Sequence, residues 1–296
     1  MTPAADPAPS KRDRRHAARE KARLAREAEV RRHRRNRWLL QGGLVLGALA
    51  VVAIVVLVVV QVAKPAGPGP ANMASDGIVL QSDGAQGVEA VRTDAIPAGG
   101  TPTATDTADD GRARIVIYQD YLCPACGAFD TTNAEQLEAL VTSGDATLEL
   151  HPISILDRAS QGTEYSTRGA NAAACVADAD PDAFLDVNTA LYAQQPGENT
   201  RGLTDDEIVE LVQGAGVTDP AVESCIRDGA YEDWVADATT RALEGPLPGT
   251  DLPAVSGTPT VLVDGQRYEG GLTDAAAFAA FVTEVSGVEL PTTDEG

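Results

Sequence analysis

The hydrophobic pattern changes character several times along the chain. Residues 38–63, from Trp38 to Ala63, form one apolar run without a single Asp, Glu, Lys or Arg. Coiled as a helix the run would be about 39 Å long at roughly 1.5 Å per residue, more than the ~30 Å hydrocarbon thickness of a bilayer. Soluble core helices are not apolar on every side for this length, so the run predicts a single transmembrane helix with some tilt. Residues 64–111 then lose any long period. Lys64–Pro70 reads KPAGPGP, a linker composition. Two short apolar stretches follow, Ile78-Val79-Leu80 and Val88 to Val91, which could form a small hairpin.

Regular patterning starts at Arg112. Residues 113–118 are a short β-branched run read as a buried strand, 129–141 as a helix, and 147–151 (TLELH) as a strand of alternating apolar positions. The stretch 155–250 is helical in character, with candidates over 167–179, 182–194 and 231–244. Thr204 and Asp219-Pro220 are start signals for two more helices, as an N-cap and as a Pro at the first helical position. A strand over 260–263, the turn Asp264-Gly265, a return strand over 266–269 and a helix over 274–285 close the pattern. The order is βαβ, a helical insert, then ββα. These readings divide the chain into a tail (1–37), a transmembrane helix (38–63), a linker with a short hairpin (64–111), a domain (112–290) and a short tail (291–296).

Charge adds an orientation. All 13 Lys and Arg of residues 1–63 fall within 11–37, against 5 acidic residues, whereas residues 64–296 hold 10 basic and 39 acidic ones. By the positive-inside rule the basic tail is cytoplasmic and the domain extracytoplasmic. The apolar run is too long, and its basic flank too large, for a cleaved signal peptide. The basic tail reads as topogenic charge with attraction to anionic lipid. An acidic domain argues against nucleic acid as its partner.

The candidate chemistry lies in four cysteines, Cys123, Cys126, Cys175 and Cys225. Cys123-Pro124-Ala125-Cys126 follows a strand and opens a helix. There the free N–H groups and the helix dipole stabilise a thiolate, and Pro124 suits a first turn whose N–H would be orphaned. Cys123 at the exposed start is the candidate attacking sulfur and Cys126, one turn in, the resolving one. A structural zinc site would need four ligands, and no second Cys-x-x-Cys exists; neither a metal nor a cofactor is expected. Cys175 and Cys225 sit in no redox-type motif and are expected to form a structural disulfide across the insert, the alternative being a second pair that relays electrons to the first. His151, before Pro152, is read as a structural histidine, and Tyr231 and Trp234 as packing residues.

Tyr118–Cys126, His151-Pro152-Ile153-Ser154 and Thr258-Pro259-Thr260 together resemble the DsbA-like branch of the thioredoxin superfamily, in its membrane-anchored actinobacterial form. The resemblance spans about 115–285 and implies a thioredoxin-like α/β fold with a helical insertion. It implies that Pro259 is cis and faces the cysteines, with the Thr258 backbone open to an extended substrate segment. It also implies disulfide donation to exported proteins, and reoxidation by a quinone-linked membrane thiol oxidase of the DsbB or vitamin-K-epoxide-reductase type. Well-known DsbA proteins carry His where this chain has Ala125, and a buried acid where it has Ile117, so Cys123 is expected to be less acidic than theirs. An extracytoplasmic reductase or isomerase, and a non-catalytic thioredoxin-like binding module, are the alternative functions.

Overall fold

The computed structural model describes residues 67–105 and 111–288, with the isolated positions Arg23, Arg26 and Val51. The basic tail and the apolar run at 38–63 otherwise lie outside the described residues, as does the tail at 291–296. No helix among the described residues is long and apolar enough to cross a membrane.

Six strands form one mixed sheet: β1 (Ile78–Ser82), β2 (Val88–Ala90), β3 (Ala113–Gln119), β4 (Ala146–Pro152), β5 (Thr260–Val263) and β6 (Gln266–Arg267), in the order β2-β1-β4-β3-β5-β6. β3 and β4 are parallel, pairing Ile117 with Leu150, and the other neighbours are antiparallel. Between β3 and β4 lies α1 (Pro124–Thr142). The insert holds α2 (Tyr165–Ala179), α3 (Phe184–Ala193), α4 (Asp205–Gly214), α5 (Pro220–Asp228) and α6 (Glu232–Glu244), and α7 (Ala275–Ser286) closes the domain. This is the expected thioredoxin-like arrangement with its helical insertion.

Alternation along the central strands explains why the sheet is covered on both faces. Ile115, Ile117, Leu148, Leu150, Val261 and Val263 point to one face and pack with Phe129, Leu140, Phe278 and Val282 of α1 and α7. Val116, Tyr118 and Leu262 point to the other, against Ala242, Leu247 and Val255. Phe129 and Tyr268 each meet Phe278 edge-on at 5.3 Å between ring centres.

One expectation needs correction. The segment expected as a linker contributes two strands of the sheet. The hairpin forms, with Leu80 opposite Ala90, but β1 also pairs with β4, placing Leu80 opposite Leu148. Ile78 and Leu80 are fully buried. Three apolar residues between polar flanks suggest a small isolated hairpin; pairing with β4 makes them a core strand. Helix α1 also begins earlier than 129, so the cysteine motif is its own first turn.

The caps follow the local sequence. Thr204 and Glu207 form a reciprocal capping box at α4, and the Asp219 side chain accepts from Ala221 N–H ahead of Pro220. Cys175 and Cys225 are bonded, with Cα atoms 5.8 Å apart, and tie α2 to α5. Beside the bridge, Asn171 accepts from Tyr231 N–H at 2.8 Å. Trp234 is buried, in keeping with a packing role.

Candidate active site

Cys123 is the N-cap of α1 in an extended conformation, and Pro124 takes the first helical position. The carbonyl of Cys123 accepts from Cys126 N–H at 3.0 Å and Gly127 N–H at 3.1 Å. This closes the first turn and brings both free thiols to one spot, where Cys123 is 7 % exposed and Cys126 2 %. The Thr258–Pro259 peptide is cis, and Thr258 presents its carbonyl to Cys123 Sγ at 3.2 Å. Residues 135 positions apart are thus brought together at the strand–helix junction.

The two thiols are electrostatically unequal. Hydrogen bonding from the Cys126 thiol, then from the Thr258 side chain and the N–H groups of Cys126 and Ala125, outweighs burial and lowers the Cys123 pKa to about 6. At neutral pH this sulfur is largely thiolate, the form that exchanges. Burial, followed by the hydrogen bond its own thiol donates to Cys123 Sγ, pushes Cys126 well above the ordinary thiol range. Cys123 is therefore the stable thiolate of the reduced pair, and Cys126 the protonated partner.

Two carboxylates flank the motif, Asp120 buried and Asp130 half-buried, and the sequence reading missed both roles. Asp120 accepts from Leu122 N–H at 2.8 Å with one oxygen, and from Ile155 N–H at 2.8 Å and Leu156 N–H at 3.0 Å with the other. It staples the active-site turn to the loop after β4, and burial raises its pKa to about 6. Asp130, one turn beyond Cys126 on α1, accepts from Asn188 Nδ2 at 3.0 Å. Asn188 in turn accepts from Gln119 Nε2 at 2.5 Å and the Tyr121 hydroxyl at 3.0 Å. Burial raises Asp130 to about 7. Asp130 and Ile117 line the same small cavity, about 20 Å³ in volume.

His151 lies on the other face of the sheet, away from the thiols. Its Nε2 is 3.0 Å from Glu149 Oε1, and its ring stacks on Tyr118 at 4.3 Å. Burial opposes ionisation of Glu149, but His151, Arg114 and Ser75 together hold its carboxyl well below the usual range.

These shifts fix a pH dependence. Asp120 and Asp130 bind protons more tightly folded than unfolded, so their contribution to stability is full below about pH 4 and is lost as pH rises through about 6 and 7. Glu149 acts oppositely, its contribution falling away below about pH 4.5. Unfolding free energy is therefore expected to peak in mildly acidic solution. Asp130→Asn, which removes a half-buried charge, should raise stability at pH 8 by roughly 1–2 kcal/mol after solvent screening and have little effect at pH 5. Urea unfolding at the two pH values checks this; an equal effect at both would show that Asp130 ionises normally.

A strand, a Cys-x-x-Cys first turn and a cis-proline loop meeting the first sulfur define a thiol–disulfide oxidoreductase of the thioredoxin-like class. The chain belongs to the thioredoxin family: residues 108–283 match the family described as Thioredoxin. Among solved structures it is similar to oxidised DsbA from Mycobacterium tuberculosis, at 30 % identity over 73 % of this chain and 94 % of that one, TM-score 0.53. It is also similar to reduced DsbG from the same organism, at 32 % identity over 64 % and 86 %, TM-score 0.50. A further relative is the serine/threonine-protein kinase PknE of M. tuberculosis, 34 % identical over 151 residues. That match takes in 50 % of this chain and spans only 26 % of the kinase.

Proposed function

We propose that the protein is a membrane-anchored oxidase that donates the Cys123–Cys126 disulfide to exported proteins, with its domain extracytoplasmic. The observation that carries the exchange chemistry is geometric: Cys123, the N-cap of α1, meets the cis Thr258–Pro259 loop with its Sγ 3.2 Å from the Thr258 carbonyl, and Cys126 lies one turn in.

In the reaction a substrate thiolate attacks Cys123 Sγ of the disulfide form. The Cys123–Cys126 bond breaks, and Cys126 leaves with the electron pair and takes up a proton. A second substrate thiolate then attacks its own sulfur in the mixed disulfide, forming the substrate disulfide and releasing Cys123 as thiolate. Two electrons pass to the enzyme and an oxidant must remove them, a role we assign to a quinone-linked membrane thiol oxidase. The apolar run at 38–63 with its basic flank supports anchoring. The Cys175–Cys225 bond suits an oxidising compartment.

Alkylation and gel shift of the intact protein in cells tests the direction: a mostly oxidised Cys123–Cys126 pair is expected. A mostly reduced pair would favour a reductase or isomerase instead. Cys123→Ala assayed on a reduced, scrambled substrate tests catalysis itself, with loss of refolding activity expected. Unchanged activity would leave only a binding module.

A further inference from the structure

The insert reaches the active-site turn through the end of α3. Gln195 lies just beyond that helix, its own N–H bonded to Tyr192 carbonyl at 3.1 Å. Its side-chain Nε2 donates to Tyr121 carbonyl at 3.0 Å and to Cys123 carbonyl at 2.9 Å. Tyr192, one turn earlier, donates its hydroxyl to Asp120 carbonyl at 3.4 Å. Three carbonyls of one short turn, those of Asp120, Tyr121 and Cys123, thus accept from a single helix end in the insert.

Gly127 supplies an independent mark of the same contact. A Cβ built there would lie 2.3 Å from Gln195 Oε1 and 3.0 Å from its Cδ, and the three nearest atoms all belong to Gln195. Gly127 has no left-handed backbone to explain it. Its bare Cα is what lets the Gln195 amide lie flat against the first turn of α1.

We infer that Gln195 is a positioning residue for the Cys123 thiolate, acting through the backbone of the active-site turn. The Cys123 carbonyl is a negative pole on the same residue as the reacting sulfur. With Gln195 on it, in addition to the Cys126 and Gly127 N–H groups, that pole is screened by three donors. The same grip fixes the turn that aims the Ala125 and Cys126 N–H groups at Sγ and holds Sγ facing Thr258. The helical insert then tunes the nucleophile as well as covering the domain. The inference rests on Cys123 being the exchanging sulfur.

The test is the pH titration of Cys123 alkylation in the full chain, with thermal midpoints measured alongside. Gln195→Met keeps length and removes the donor; its titration midpoint should rise by about half to one unit, roughly three- to tenfold less thiolate on the acid side. Gln195→Glu sets a carboxylate against two carbonyl oxygens and should shift it further. Gly127→Ala should reproduce the Gln195→Met shift by displacing the amide. Added to Gln195→Ala it should shift the midpoint no further, and it should raise the thermal midpoint, since alanine is the better helix residue once the clash is gone. A midpoint within about 0.2 unit of wild type in both Gln195→Met and Gly127→Ala would overturn the role. So would additive shifts in the double variant. If instead wild-type Cys123 titrates as an ordinary thiol, the fault lies with the proposed function and not with Gln195 alone.

Discussion

Cys126→Ser is expected to accumulate covalent adducts with exported proteins that Cys123→Ser does not form. The reason is the geometry of the first turn of α1. Cys123 Sγ stands at the cis-proline loop, 3.2 Å from the Thr258 carbonyl, where an incoming sulfur can reach it. Cys126 is 2 % exposed and burial raises its pKa, so under the proposed function it is expected to meet no substrate and to resolve the bond to Cys123. Without it, a mixed disulfide on Cys123 has no internal thiol to release it. Non-reducing gels should show slow-migrating species that collapse on reduction. In Cys123→Ser both adducts and exchange should fall to background. Adducts of equal abundance in the two variants would mean that Cys126 also meets substrate, contrary to its burial.

The second large effect belongs to the other cysteine pair. Cys175 and Cys225 are 50 positions apart in sequence, and their bond closes a long loop through α2 to α5. In the chain-entropy treatment a loop of this length contributes about 4 kcal/mol by restricting the unfolded chain. That is a large share of the 5–15 kcal/mol typical of a domain. Cys175→Ala/Cys225→Ala should therefore lower the thermal midpoint by roughly 8–16 °C. It should leave the Cys123 titration near its wild-type midpoint, because the bridge ties α2 to α5 while the hydrogen bonds on the active-site turn come from Gln195 and Tyr192. A midpoint displaced along with the stability would indicate that the second pair communicates with the first. The fragment of insert holding Asn171 should loosen most, and hydrogen exchange across α2 and α5 reports it directly.

Much of the fold was legible because its elements carry strong local signals. The β-branched run of β3, the capping box at Thr204 and the Asp264-Gly265 turn each encode their own structure within a few residues. Position legibly marked the motif too: two cysteines three apart between a strand and a helix have few other uses. β1 was read as part of a linker hairpin, because a strand of three apolar residues becomes recognisable only through its partner, and β4 lies far along the chain. Asp120 and Asp130 look in sequence like ordinary acids, one at a strand end and one on a helix. Their raised pKa values come from burial, which is a property of what packs over them.

The sequence by itself marked the candidate reacting sulfurs, the order of elements around them and the second cysteine pair, since each rests on spacing or on a local period. Tertiary structure decided the rest of the site. It brought Thr258 to Cys123, buried Cys126, set Asn188 on Asp130, and laid the Gln195 amide on Gly127 and on the carbonyls of the active-site turn. Those contacts join residues dozens of positions apart, and their energies come from desolvation and hydrogen-bond geometry. Neither quantity exists until the insert has folded against the sheet.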